Sequence, residues 1–243
     1  MCELRCTSLP ELAGSSPAFT GTFATNSSSA LGLLQFAEAS TLEASDLMVA
    51  SSYVSIDVVY PAWYTVQATQ VEVIDAAGTS YASASIAGNS DYSGGNYIMD
   101  SGTASLADLS PDTYDAIMSG LEVFSSDDYQ SLSQPDECYQ SLTRPIYEFP
   151  YIQFTFANSD GTTTSLNLAP QVYLDGRLAG CSSDYPYHIA FTRSSTDNQP
   201  YIFGNSFLSQ YHTVFSQSSN TVSFATPSVA GRQAQVSTCM HID

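Results

Sequence analysis

The sequence predicts an all-β protein that carries a few short helices. Several segments alternate apolar and polar residues with a period of two, turn-forming segments separate them, and one segment has convincing helical periodicity. The clearest alternation is "YIQFTF", which places Ile152, Phe154 and Phe156 on one side of a strand. A length of 243 residues is enough for one large β domain with a substantial core.

Most of the predicted strands lie beyond the first part of the chain. Residues 1–30 are rich in Ser, Thr, Ala and Gly and show little periodicity, whereas β patterns dominate from Tyr60 onward. In "WYTVQATQVEV" the apolar set moves by one position part-way along, as a β-bulge would produce. "GNSDYSGGNY" is typical of a turn, and "SNTVSFA" predicts a turn followed by a strand. The apolar positions around the predicted bulge are Tyr64, Val66 and Ala68, then Val71 and Val73.

A helix is predicted to begin at Pro111. Ser110 can cap it, because a serine oxygen accepts a hydrogen bond from a free N–H of the first turn. Proline suits the first helical position, and Asp112 lies favourably at the positive end of the helix dipole. Apolar residues then recur on one face at helical spacing, at Tyr114, Ile117 and Leu121.

The charge composition excludes several kinds of partner. The chain has 24 acidic residues, five arginines and no lysine, which gives a formal net charge of −19. Such a polyanion lacks the basic patch that nucleic acids and anionic membranes require. Its carboxylates repel one another at neutral pH and are partly neutralised in acid. The composition therefore fits a protein that works at acid pH, although it fits a merely soluble acidic protein equally well.

The stretch "NYIMDSGTA" places one carboxylate at the end of a predicted strand. Asp100 follows three apolar residues, Gly102 permits a turn, and Thr103 supplies a hydroxyl group that can lock that turn. An aspartate in this position is either an ordinary turn residue or a catalytic group. These residues alone do not distinguish the two.

A second motif lies downstream and brings a resemblance to a known family. In "YIFGNSFLSQYHTVFSQSSNTVSFATP", Ile202 and Phe203 precede Gly204. Together with "DSGT" and the intervening "FPYIQFTFANSDGTTTSLNLAPQVYL", this segment resembles the C-terminal lobe of pepsin-like aspartic proteases. Upstream, "SALGLLQFAEAS" and "YPAWYTVQATQVEV" resemble the crossing between the two lobes and the first strands of the second lobe. The similarity covers roughly residues 30–227, with the motifs in the family's order.

The resemblance implies an aspartic endopeptidase that hydrolyses peptides and proteins with two aspartates and one water molecule, without a cofactor. Asp100 would be the catalytic aspartate of the second lobe. Ile98, Gly102 and Thr103 would contact the substrate. The residues expected to support the turn are Ser101, Ile202, Phe203 and Gly204.

The cysteines and histidines do not form a metal-binding pattern. No CxxC pair occurs and the three histidines are scattered, so no metal site is predicted. The resemblance implies a disulfide between Cys138 and Cys181, where family members place one in this lobe. The remaining cysteines, Cys2, Cys6 and Cys239, leave an odd count, so at least one should pair outside this chain or stay free.

The resemblance also implies how the chain is organised. Residues 1–58 would be the end of an N-terminal lobe and the interlobe crossing, residues 59–227 the C-terminal lobe, and residues 228–243 a tail. Only one Asp-Ser/Thr-Gly motif occurs, so the second catalytic aspartate is expected from an N-terminal lobe of the same protein, encoded upstream. Two alternatives stay open. The lobe could pair with a second copy of itself, or it could be a non-catalytic binding or inhibitor module.

No apolar run is long enough to span a membrane, and the first residues do not read as a signal peptide. The hydroxyl-rich, lysine-free composition nonetheless suits a secreted protein or one in an acidic compartment such as a lysosome or vacuole. The signal that would direct it there is expected upstream of this sequence.

Overall fold

The computed structural model describes residues 17–22, 33–38, 53–103, 106–132, 138–176, 181–195 and 200–226. Over these residues the protein consists mainly of strands with a few short helices, which confirms the predicted all-β class. For residues 17–22 and 33–38 only the backbone pairing is described below. The strands are β1 (Pro17–Thr22), β2 (Leu33–Glu38), β3 (Val54–Tyr60), β4 (Thr65–Val66), β5 (Ala68–Ile74), β6 (Ser80–Ser85), β7 (Tyr97–Met99), β8 (Ala107–Leu109), β9 (Tyr151–Ala157), β10 (Thr163–Leu168), β11 (Phe191–Arg193), β12 (Tyr201–Phe203), β13 (His212–Ser216) and β14 (Thr221–Ala225). The helices are α1 (Pro111–Phe124), α2 (Ser126–Leu132), α3 (Pro170–Tyr173) and α4 (Asn205–Leu208).

The described strands form two sheets. The larger has ten strands in the order β11-β8-β12-β7-β4-β3-β14-β13-β1-β2, and the smaller has four in the order β10-β9-β5-β6. Helix α1 packs against β5 and β6 of the smaller sheet. Strand β1, for which the sequence offered no periodicity, joins the larger sheet by pairing with β13 and β2.

The apolar alternation predicted from the sequence builds the core. Ile152, Phe154 and Phe156 of β9 are each fully buried, as the period of two predicts. The predicted bulge is also confirmed, because the register between β5 and β9 shifts between Ala68 and Gln70. The shift lets both halves of this segment direct their apolar residues to the same interior.

Helix α1 begins where the capping residues predict. The backbone N–H of Thr113 donates to Oγ of Ser110 over 3.2 Å, and Pro111 occupies the first turn. Ile117 and Leu121 are buried. The helix lies so close to β5 that a Cβ added at Gly120 would approach Val73 to 2.7 Å. A side chain at position 120 would therefore separate the helix from the sheet.

The predicted disulfide between Cys138 and Cys181 is present, with the two Cα atoms 5.7 Å apart. It joins the segment after α2 to the segment before β11. The other three cysteines, Cys2, Cys6 and Cys239, lie outside the described residues. In the part of the chain that is described, no helix is both long and apolar enough to cross a membrane.

Candidate active site

The candidate site lies where two strands that are distant in sequence run side by side. Strand β12 pairs in parallel with β7, with Ile202 opposite Ile98 and Phe203 opposite Met99. On its other side β12 pairs in antiparallel fashion with β8. The later strand thus inserts between two strands that follow each other in the chain. The loop from β7 to β8 must pass the end of β12, and it begins at Asp100.

Backbone hydrogen bonds fix this loop to the end of β12. The N–H of Asp100 donates to the carbonyl of Phe203 over 2.9 Å, and the N–H of Asn205 donates to the carbonyl of Thr103 over 2.8 Å. The N–H of Gly204 donates to the carbonyl of Leu106 over 3.0 Å. The turn that carries Asp100 is therefore held from both sides by β12 and the start of α4.

Both oxygens of the Asp100 carboxylate accept hydrogen bonds from its own turn. The backbone N–H of Gly102 donates to Oδ1 over 2.7 Å, and the hydroxyl of Thr103 donates to Oδ2 over 2.6 Å. Asp100 is partly buried, while Ser101 and Gly102 are exposed. The carboxylate is thus held in one orientation and still lies at the surface.

Glycine at position 102 fits this arrangement because of its close approach to Asp100. A Cβ added there would lie 3.1 Å from Oδ1 of Asp100. That contact is tighter than ordinary van der Waals separation, so a side chain would push against the oxygen that the Gly102 N–H holds.

The structure brings the other predicted site residues close to this turn. Ile98 and Ile202 are neighbours on β7 and β12, and both are partly buried. The N–H of Asp100 donates to the carbonyl of Phe203 and so continues the pairing of β7 with β12 by one residue, and the alternation of side chains puts Asp100 on the side of Ile98. Phe203 is fully buried and stacks on Tyr97 with ring centroids 4.4 Å apart. The role of these residues toward a substrate stays a prediction.

Sequence reasoning missed two residues at this junction. Asn205 supports the turn through its backbone, which no side-chain pattern indicates. Asp108 of β8 lies opposite Ile202, on the side of the sheet that carries Ile98. The sequence could have indicated Asp108, because this aspartate interrupts the apolar residues of "LADL". Long-range strand pairing, however, decides which residues lie beside it.

Neither a metal centre nor a carboxylate pair is visible in the described part of the chain. No three His, Cys, Asp or Glu side chains come together there as a metal site would require. No hydrogen bond joins Asp100 to a second carboxyl group within the described ranges. Asp160, which precedes Gly161 in the turn between β9 and β10, instead accepts hydrogen bonds from Thr162.

The fold and the site together define a β-rich lobe that presents one oriented aspartate at a junction of parallel strands. The sequence profile of the eukaryotic aspartyl protease family matches residues 45–227. The chain therefore belongs to this family, which confirms the resemblance to pepsin-like proteases. A search of curated proteins found no significant match. Members of the family cleave peptides and are typically secreted or lysosomal.

Proposed function

We propose that this chain supplies one of the two catalytic aspartates of an acid endopeptidase, and that Asp100 is that residue. The observation that supports this proposal best is the Asp100 carboxylate, which lies at the surface with Oδ1 held by Gly102 and Oδ2 by Thr103. The turn that carries this carboxylate is also joined to the end of β12, because the N–H of Asp100 donates to the carbonyl of Phe203. Family membership supports the same role.

The proposed reaction needs a second carboxyl group. Two carboxyl groups about 3 Å apart cannot both ionise easily, so one keeps a proton while the other is a carboxylate. The carboxylate takes a proton from a bound water molecule, whose oxygen attacks the carbonyl carbon of the scissile peptide bond. The other carboxyl group donates its proton to the carbonyl oxygen, and the resulting tetrahedral species collapses with protonation of the leaving nitrogen.

The second aspartate is proposed to come from an N-terminal lobe of the same protein. The chain contains one Asp-Ser/Thr-Gly motif, at Asp100. In this proposal residues 1–58 belong to the end of that lobe and to the crossing, and residues 59–227 form the lobe that carries Asp100. An isolated lobe would lack the opposite wall of the cleft, so it could neither exclude water nor hold a peptide in line.

The first experiment uses the full-length protein with Asp100→Asn, which keeps the shape of the side chain and removes its ability to act as acid or base. We expect hydrolysis of a fluorogenic peptide at acid pH to disappear. Asp160→Asn is the matched control, because it makes the same change in the exposed β9–β10 turn. Undiminished turnover by the Asp100 variant would refute the assignment.

The second experiment uses the 243-residue chain alone. We expect no cleavage of haemoglobin or of a fluorogenic peptide at acid pH, with and without pepstatin. Cleavage that pepstatin inhibits, together with a dimeric sedimentation coefficient, would favour two copies that each supply Asp100. A full-length protein that binds peptides and cleaves none would favour a binding or inhibitor module.

A further inference from the structure

Asp108 of β8 lies in a row of side chains that crosses the sheet beside the candidate site. The pairing places Ile98 of β7 next to Ile202 of β12, Ile202 opposite Asp108, and Asp108 next to Thr192 of β11. Residues paired in this way point to the same face of a sheet. Since Ile98 shares its face with Asp100, the row belongs to the face that presents the Asp100 carboxylate.

Burial along the three strands supports this assignment. Ile98, Ile202 and Asp108 are all partly exposed, whereas their neighbours along the chain point into the core. The buried neighbours are Tyr97, Met99, Ala107, Leu109, Tyr201 and Phe203. The face that carries Asp108 is thus the accessible face, and the opposite face is the core.

Within the described residues, one oxygen of the Asp108 carboxylate has no partner. Its Oδ1 is buried and has no hydrogen-bond partner among the described residues. Within the same residues, the Arg193 guanidinium pairs with Asp115 at 3.1 Å, and Arg144 lies over the ring of Phe124. A buried carboxylate oxygen without a partner is unfavourable, so a cation brought by a ligand would remove a cost that the free protein carries.

The distance from Asp100 matches the reach of a bound peptide. Neighbouring strands lie about 4.8 Å apart and residues rise about 3.3 Å along a strand, so the Cα atoms of Asp108 and Asp100 are roughly 12 Å apart. An extended peptide covers that distance in about four residues. A substrate residue between two and four positions from the scissile bond can therefore place its side chain at Asp108.

We infer that Asp108 is a specificity-determining residue, whose carboxylate selects substrates that carry a lysine or arginine within about four residues of the scissile bond. This inference rests on the proposed function, because it assumes that a peptide lies across Asp100. It makes Asp108 a recognition residue, which contributes to binding the substrate and takes no part in the proton transfers.

The selection of basic peptides by the Asp108 carboxylate should become stronger as the pH rises. Burial raises the pKa of Asp108 above its ordinary value, so the side chain loses its negative charge earlier than an exposed aspartate as the pH falls. Strands β12 and β11 present Ile202 and Thr192 to it, and neither of these titrates. The Asp100 carboxyl group lies on the same face, whereas Arg193 points to the opposite side, where it pairs with Asp115. The preference for basic peptides should therefore grow as the pH rises through the pKa of Asp108.

The test compares kcat/KM of the full-length enzyme on two peptide series. One series carries a lysine at a single position, moved one residue at a time from four residues before the scissile bond to four after it, and the other carries norleucine there. We expect the wild type to cleave the peptide with lysine at its best position faster than the matching norleucine peptide. Asp108→Asn should reduce this preference for lysine roughly tenfold. The norleucine peptides should be cleaved equally well by both proteins. Dividing kcat/KM for the lysine peptide by kcat/KM for the norleucine peptide at each pH cancels the pH dependence of the catalytic aspartates.

The matched control is Glu122→Gln, which removes one exposed charge from α1, away from this face. Asp108→Lys is the second variant, and it should reverse the preference toward peptides that carry glutamate at the same position. Equal lysine preference in the wild type, in Asp108→Asn and in Asp108→Lys would overturn the inference while leaving the proposed function intact. Failure of the wild type to cleave any peptide would instead overturn the proposed function and this inference with it.

Discussion

The hydroxyl of Thr103 donates to Oδ2 of Asp100 over 2.6 Å, and the carbonyl of Thr103 accepts the N–H of Asn205 over 2.8 Å. Thr103 therefore links the carboxylate to the segment that follows β12. Through this one residue, the orientation of the carboxylate depends on a strand that comes much later in the chain.

In the two-lobed enzyme proposed above, Thr103→Val should lower kcat by roughly 10- to 100-fold, because a hydrogen bond to a charged group contributes about 1.5–3 kcal/mol. Valine keeps the shape of threonine and removes the hydroxyl that orients Oδ2. Thr103→Ser is the matched control, since it keeps the hydroxyl, and it should retain most of the activity. Equal kcat in the valine variant and the wild type would contradict this role.

Gly102→Ala tests the close approach at the same turn. The added Cβ would lie 3.1 Å from Oδ1 of Asp100, so the carboxylate or the turn must move by a few tenths of an ångström. We expect a clear loss of kcat together with a melting temperature within a few degrees of the wild type, because Gly102 is exposed and its surroundings can relax. Activity and thermal unfolding should be measured on the same preparation. A variant that unfolds far more easily while staying fully active when folded would show that Gly102 serves folding alone.

The sequence predicted the local part of this site, the Asp100 turn, but not the part that depends on long-range strand pairing. The Asp100 turn depends on residues that follow one another, and "DSGT" contains the donors that hold its carboxylate. The insertion of β12 between β7 and β8 depends on pairing across a large loop, which no local pattern encodes. The family resemblance predicted that the two motifs lie together, and the structure shows which residues of β7, β8 and β12 pair with one another.

The same contrast explains the rest of the fold. The alternation of β9 and the cap of α1 are local features, and both were predicted correctly. Strand β1 was missed, because backbone pairing with β13 and β2 defines it and its sequence does not alternate. Helix α2 was also missed. Its Asp128 is buried and accepts hydrogen bonds from the N–H and hydroxyl of Thr143, which a helical pattern does not reveal.

Removing the disulfide should destabilise this lobe by roughly 4 kcal/mol in the chain-entropy model. Cys138 and Cys181 are 43 positions apart, and their bond restricts a loop of that size in the unfolded chain. Urea unfolding of the Cys138→Ser, Cys181→Ser double variant measures the loss. The wild type in excess reductant is the control and should approach the stability of the double variant. Equal unfolding midpoints for oxidised wild type and double variant would show that the bond contributes no stability.

His212 should make the lobe less stable as the pH falls from about 6.5 to about 4. Its side chain on β13 is 3% exposed, and its Nδ1 lies 2.8 Å from the hydroxyl of Tyr53. Burial lowers the pKa of His212 from 6.5 to about 4, and burial raises the pKa of Tyr53 to about 12. The tyrosine thus keeps its proton, and its hydroxyl forms a hydrogen bond with a neutral imidazole. The ordinary pKa of histidine, 6.5, applies to the unfolded chain, and the stabilisation from the neutral histidine is complete above that pH. The stabilisation is lost as the pH falls toward about 4, the pKa of His212 in the folded protein.

The predicted loss between pH 7 and pH 4 is roughly 3 kcal/mol, since one pKa unit corresponds to about 1.4 kcal/mol. His212→Gln removes the titrating ring and leaves an amide oxygen that can accept the Tyr53 hydrogen bond. We expect the free energy of unfolding of this variant to fall less on acidification than that of the wild type, by about that amount. Urea unfolding of both proteins at several pH values between these limits provides the measurement. His188→Gln, which makes the same substitution at a histidine elsewhere in the lobe, is the matched control variant. Parallel pH profiles for the wild type and His212→Gln would mean that this histidine takes up its proton over the same pH range in the folded and unfolded chains.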